Sequence, residues 1–410
     1  MNHRVLSVLE ATLNLANSTF FNYAFRPLFL FGITWAIILI GWWVLAFTHQ
    51  LALPPIKYPG ALWHSHEMLF GFAGAAIGGF LLTAIANWTN RPPVNGTPLI
   101  ILTLLWLTGR VAITFSAVLP PWLVALADIS YLFFLTLLAA REVTSVGNTR
   151  NYKIIIVLSV LILTNLIWHI GWVLGEENAI EIARAALRAG IIIVILLISA
   201  IGGRVTPAFT RNWLNRQSEP NSLPPTSFSR IDGLAIASTA TLAPLWSIWP
   251  TSIVTGIIAL LAGCMQLARL SRWKGLATLK EPLLLILHLG YSWIGIGYLL
   301  LAASILTSSV PLGSAIHALT LGAMMTMILG VSARAALGHT NREASSSPLL
   351  NCCFILVTLA TIARVLAGFI WYAPLLNIST LLMLTGLGIY AWIYVPILTQ
   401  AAASSELKIL

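Results

Sequence analysis

Trp63-His64-Ser65-His66-Glu67-Met68-Leu69-Phe70-Gly71-Phe72 stands at the head of an apolar run near residues 61–87, in which Glu67 is the only Asp, Glu, Lys or Arg. As helix, a run of about 20 apolar residues crosses a bilayer core of roughly 30 Å. Ionisable side chains in hydrocarbon are costly and are kept mainly where they bind, relay or coordinate something. The run therefore reads as a membrane helix entered by two imidazoles and a carboxylate. A later run opens the same way, at Ile316-His317-Ala318-Leu319-Thr320-Leu321-Gly322-Ala323-Met324. Histidines so placed point to a buried metal or haem site rather than a plain transport pore.

The rest of the chain carries the same signal. Of 410 residues, 58% are hydrophobic and only 8% charged, against about 25% charged in soluble domains; mean hydropathy is +0.90. Twelve candidate spans fall near 28–48, 61–87, 97–119, 121–141, 153–175, 182–203, 231–249, 252–270, 282–306, 312–337, 349–370 and 375–398. Their continuity, without alternation in polarity, excludes a barrel. Prolines punctuate the joins at Pro54-Pro55, Pro92-Pro93, Pro120-Pro121, Pro224-Pro225 and Pro311. The expected fold is an all-α integral membrane bundle of about twelve helices. It forms one polytopic domain over 1–410, divisible into halves 1–203 and 231–410 by a polar loop at 204–230. No residue-level repeat is evident between the halves, and no cleaved signal peptide precedes the first span.

The net charge of +10 does not indicate nucleic acid, because the basic residues are scattered over short loops. Arg141, Arg150 and Lys153 share one face with Arg204, Arg211, Arg216 and Arg230, and with Arg269, Arg272, Lys274 and Lys280, if the spans alternate. The opposite face offers Lys57 and the mixed group Glu176, Glu177, Glu181, Arg184 and Arg188. The positive-inside rule places both termini in the cytoplasm and the chain in a cytoplasmic membrane. Cys264, Cys352 and Cys353 lie in apolar segments with no C-x-x-C-H, so neither a covalent haem nor a redox pair is indicated. The neighbours Cys352 and Cys353 read as small packing residues.

At 1.5 Å of rise per residue, sequence position converts to depth. His64 and His66 lie roughly 5–8 Å from the outer end of span two, and His317 and His169 about 8–9 Å below the outer ends of spans ten and five. Arg110, Asp128 and Arg364 reach similar depth in spans three, four and eleven. Arg110 and Asp128 are expected to form a buried ion pair. His64 and His66 face opposite sides of a helix and cannot easily share one ion. His64 and Glu67 share a face, where the carboxylate could orient an imidazole or simply reach the interface. Met68, Met324, Met325 and Met327 are either soft copper ligands or filler. His288, with Tyr291 one turn on, lies near the inner end of span nine as either a second site or a packing residue.

Several segments together resemble the NnrS family of bacterial membrane proteins associated with the nitric oxide response. They are Phe25-Arg26-Pro27-Leu28-Phe29, Trp63 through Phe72, Gly79-Phe80-Leu81-Leu82-Thr83-Ala84 with Asn87-Trp88-Thr89, and Gly202-Gly203-Arg204-Val205 with Pro207 and Phe209-Thr210. In the second half follow His288-Leu289-Gly290-Tyr291-Ser292-Trp293, His317 through Ala323, and Arg334-Ala335-Ala336-Leu337-Gly338-His339-Thr340. Asn341 departs from the family pattern, which has glycine there; asparagine tolerates the left-handed turn that glycine would serve. The resemblance implies a twelve-helix protein of the bacterial inner membrane, holding haem b and copper and protective during nitrosative stress.

On that reading a histidine of the pair His64/His66 and His317 are the expected haem ligands, with Arg364, or Arg184 and Arg188, at the propionates. The other member of the pair, with His169 or His288, is then available to copper, and Glu67 and Tyr291 support the ligands. The partner is nitric oxide or a nitrosylated small molecule, reached through membrane lipid. Turnover would take electrons from a quinol or a reductase, and simple binding would take none. The competing expectation is a secondary transporter of twelve spans without a metal cofactor.

Overall fold

The computed structural model describes residues 17–147, 151–217 and 228–403. It holds twelve helices long and apolar enough to cross a membrane, and no strand among the described residues. They are α1 Phe25–Phe47, α2 Gly60–Thr89, α3 Thr97–Thr114, α4 Pro121–Thr144, α5 Tyr152–Leu174, α6 Ala179–Arg216, α7 Arg230–Ile248, α8 Ile253–Ser271, α9 Pro282–Thr307, α10 Leu312–His339, α11 Pro348–Leu366 and α12 Tyr372–Thr399. The chain is therefore an all-helical, multi-pass membrane protein.

Local chemistry starts these helices. Proline sits in the first turn of α3, α4, α9 and α11, where its missing amide has no helical partner to lose. Ser229 and Asp232 form a capping box on α7, and Ser252 and Ser347 accept backbone amides at the starts of α8 and α11. One boundary differs from expectation. Residues 204–216 continue α6 as helix, with Pro207 inside it; proline there costs Gly203 an amide partner but does not end the helix. Residues 218–227 of the expected loop, and Arg150 among the topology signals, lie outside the described residues.

Backbone contacts divide the chain into two compact units. The first comprises Met1–Ala183, Ala335–Glu343 and Ala391–Leu410, and the second Arg184–Arg334 and Ala344–Tyr390. In the first unit α3, α4 and α5 pack in series, and α2 packs on α1, α3 and α4. In the second unit α7, α8 and α9 pack in series, while α10 packs on α9 and α11.

A repeat does exist. α2 is helical over Gly60–His66, widens to a π-helix over Glu67–Ala73, and resumes as α-helix over Gly74–Thr89. α10 does the same, with helix over Leu312–His317, a π-helix over Ala318–Met325, and helix from Thr326. At one constant offset, without a gap, His66 matches His317, Gly71 matches Gly322, Gly79 matches Gly330, and Thr89-Asn90-Arg91 matches Thr340-Asn341-Arg342. Both asparagines are left-handed, at φ 53° and 55°. The partners match as well. Gly32-Ile33-Thr34-Trp35 on α1 corresponds to Gly290-Tyr291-Ser292-Trp293 on α9. A Cβ on Gly71 would meet Trp35, and one on Gly322 would meet Trp293. The identities are few and spread through apolar sequence, which hides the repeat until the two π segments are seen.

Candidate metal centre

In the first unit the π-helix turns His66 and Glu67 toward α3, α4 and α5, and both are fully buried. His66 Nδ1 donates to Glu67 Oε1 at 3.1 Å. Arg110, on α3, grips Glu67 Oε1 through Nη1 and Asp128 Oδ1, on α4, through Nη2. The expected Arg110–Asp128 pair is thus present, and Glu67 makes it a triad. Two glycines permit it. A Cβ on Gly71 would lie 2.8 Å from Arg110 Nη1, and one on Gly109 would lie 3.1 Å from the backbone of Asp128.

α5 supplies the rest. Asn165 and His169 are one turn apart and share a face. Asn165 Nδ2 donates to Asp128 Oδ2 at 2.8 Å, and His169 Nε2 lies 3.1 Å from the same oxygen. His66 Nε2 faces that oxygen at 3.2 Å and Asn165 Oδ1 at 3.1 Å. The Trp168 ring covers His66, with centroids 4.1 Å apart. One ligand atom each from His66, Asp128 and His169 lies within 4.8 Å of the others, and all three residues are buried.

The chemistry of this set favours a cation. Because Nδ1 of His66 donates to a carboxylate, its lone pair falls on Nε2, which looks at two oxygen acceptors. A proton or a metal ion has to sit there. A carboxylate behind a ligating imidazole is the usual support of a metal-bound histidine. With neutral imidazoles, two carboxylates and one guanidinium leave the cluster one positive charge short, and uncompensated charge in a dry site is expensive. Two imidazoles and one carboxylate form a donor set for copper, iron or zinc.

Of the seven groups expected at one depth, the structure brings together His66, Arg110, Asp128 and His169. Asn165 and the joint role of Glu67 complete the site and were not anticipated. Neutral Asn165 gives no charge signal, and Glu67 meets both His66 and Arg110. His64 is half-buried and stacks on Trp43, with centroids 5.3 Å apart and ring planes 15° apart.

The remaining candidates lie in the second unit. His317 Nδ1 donates to Gly313 O at 2.7 Å, which puts its lone pair on Nε2. Arg364 is half-buried; its guanidinium lies 6.0 Å from the Tyr372 ring, and it makes no hydrogen bond or ion pair among the described residues. Arg184 is exposed and Arg188 half-buried, and both have partners. His288 Nε2 meets Thr210 Oγ1 at 2.9 Å, and its Nδ1 faces Gly275, where a Cβ would lie 2.9 Å away. Tyr291 belongs to a separate buried network, accepting from Arg269 Nη1 at 2.9 Å and donating to Gln266 Oε1 at 2.6 Å. Arg269 in turn donates to Asp232 at 2.7 Å. All three cysteines are free, and only Cys353 is buried.

Among curated proteins no match to the chain is found. A family model described as NnrS protein matches residues 19–401, nearly the whole chain.

Proposed function

The chain belongs to the NnrS family, and we propose that it is a haem- and copper-binding protein of the bacterial inner membrane that captures nitric oxide or its adducts and protects the cell during nitrosative stress. The observation that carries this reading is the buried convergence of His66 Nε2, Asp128 Oδ2 and His169 Nε2. These atoms would hold copper, with Glu67 fixing the His66 tautomer and Arg110 holding the free oxygen of Asp128.

The repeat supports a haem position in the second unit. Ala318 takes the place of Glu67, and α9, α10, α11 and α12 contain no Asp or Glu, yet Arg364-Val365 on α11 still parallels Arg110-Val111 on α3. A group bound there must bring its own negative charge. Arg364 would hold haem propionates, which meet that need, and His317 Nε2 would ligate the iron. When bound, the two metals supply coordination positions for a diatomic ligand. The residues around them exclude water and fix the ligand tautomers. Turnover of nitric oxide would take electrons from a quinol or an external reductase.

An absorption spectrum and metal analysis of the detergent-purified protein test the reading. A Soret band with stoichiometric copper is expected. The repeat is also a feature of secondary transporters; a colourless, metal-free preparation would favour that class and overturn the metalloprotein.

A further inference from the structure

The turns that end α2 and α10 are copies with different fates. In each, a left-handed asparagine precedes an arginine whose amide bonds back five residues, Arg91 to Ala86 O at 3.1 Å and Arg342 to Leu337 O at 3.0 Å. The first arginine is neutralised, with Arg91 Nε donating to Glu142 Oε2 on α4 at 2.9 Å. The second is not. Arg342 makes no ion pair among the described residues, and its Nη1 is buried without a hydrogen-bond partner. α12, which stands to α11 as α4 stands to α3, has no acidic residue, and the adjoining Glu343 is exposed.

A second arginine shares the place. The charge of Arg342 bears on Arg26, which is only 3% exposed at the start of α1. Arg26 Nη1 donates to the last carbonyls of α12 and beyond, Leu398 O at 2.9 Å and Gln400 O at 2.6 Å. Its Nε is buried with no partner. Around them His339 lies 5.6 Å from Tyr23 and 5.7 Å from Phe25, and Ala403 N closes onto Thr340 O at 3.0 Å. All of these residues belong to the first unit.

Two like charges in one corner of the first unit, each with a buried N–H left over and neither paired with a carboxylate among the described residues, make a site short of an anion. We propose that Arg26 Nε and Arg342 Nη1 bind a phosphate group, from an anionic phospholipid headgroup or from inorganic phosphate. Guanidinium matches phosphate in charge and in donor geometry. The site also lies where the first helix begins and the last ends, the level of lipid phosphates, and basic pockets between membrane helices at the cytoplasmic face take such headgroups.

The test is native mass spectrometry of the full-length protein in detergent, titrated with phosphatidylglycerol, phosphatidylcholine or inorganic phosphate. Phosphatidylglycerol should be retained over phosphatidylcholine, and Arg342→Gln should weaken retention roughly ten- to hundredfold, the loss of a charge-assisted bond. Arg342 is the residue to change, because Arg26 also caps α12; unchanged thermal unfolding of Arg342→Gln shows that the fold survives. Displacement of the lipid by inorganic phosphate assigns the site to phosphate in general, and failure to displace assigns it to lipid. Equal retention of both lipids, or by wild type and Arg342→Gln, overturns the proposal. So does retention that appears only after removing residues 404–410, because the chain's own tail would then be the anion.

Discussion

Glu67 does two jobs with one oxygen, holding the His66 imidazole and meeting Arg110. Substitutions separate them. Glu67→Gln should lower metal affinity about 10–100-fold, as loss of a supporting partner does elsewhere, read by titration against a competing chelator. An unchanged affinity would leave Glu67 as a counter-ion for Arg110 alone. Arg110→Leu strands two buried carboxylates and should destabilise by about 3–5 kcal/mol, seen as loss of folded protein in detergent. The double variant Arg110→Leu/Glu67→Leu should recover part of that loss, and no recovery would argue that the charges are not coupled. Much of this cluster was legible in sequence. Depth along a helix follows from a fixed rise, so His66, His169, Arg110 and Asp128 could be placed on one level. Which of His64 and His66 turns inward could not, because both are histidines on one turn and only packing against Trp168 or Trp43 separates them.

Among the elements, the two π segments decide where the histidines point. A π turn bonds i to i+5 and holds an extra residue, so it rotates everything before it relative to everything after. Deleting Leu321 removes that extra residue and should return the α10 segment to α-helix with His317 on its original face. Inserting one alanine after Met327, in the regular helix, should instead swing His317 by about 100° against the lower part of the helix. In that second variant the Soret band should shift or vanish while the protein still enters the membrane; an unaltered band would remove His317 from the ligand set. Glycine is required on the same segment, since a Cβ at Gly322 would lie 2.6 Å from Trp293 Cγ. Gly322→Ala should therefore cost about 1–3 kcal/mol by overpacking, measured by thermal unfolding in detergent. The helices themselves were readable from apolar length and proline. The π segments were not, because widening by one residue changes neither composition nor hydropathy. The continuation of α6 through Pro207 was missed for a related reason: proline marks a helix end in general, and nothing local reveals an exception.

For the molecule as a whole, the separation of charge over the repeat predicts two independent centres. His66→Ala should remove copper and keep the Soret band, whereas His317→Ala should do the reverse; metal analysis and absorption on each variant decide it. Loss of both signals in either variant would mean a shared centre. The even number of spans and the bond from Arg26 to Gln400 O put the start of α1 and the end of α12 on one face. In a cysteine-free background, Lys274→Cys should label from the cytoplasm and Glu177→Cys only from the outside. Labelling of position 274 from outside would invert the orientation that the arginine-rich loops imply.

The π segments also carry a chronology. Each begins at the residue after a matched histidine, and each helix ends on the same Thr-Asn-Arg turn. Two separate insertions landing at one position are a far less economical history than one insertion, later copied. The ancestral half-protein then already had the widened turn and its histidine, and Glu67, Asp128 and Glu142 mark where the copies parted. A chimaera restoring glutamate at Ala318 would run that divergence backwards, one residue at a time.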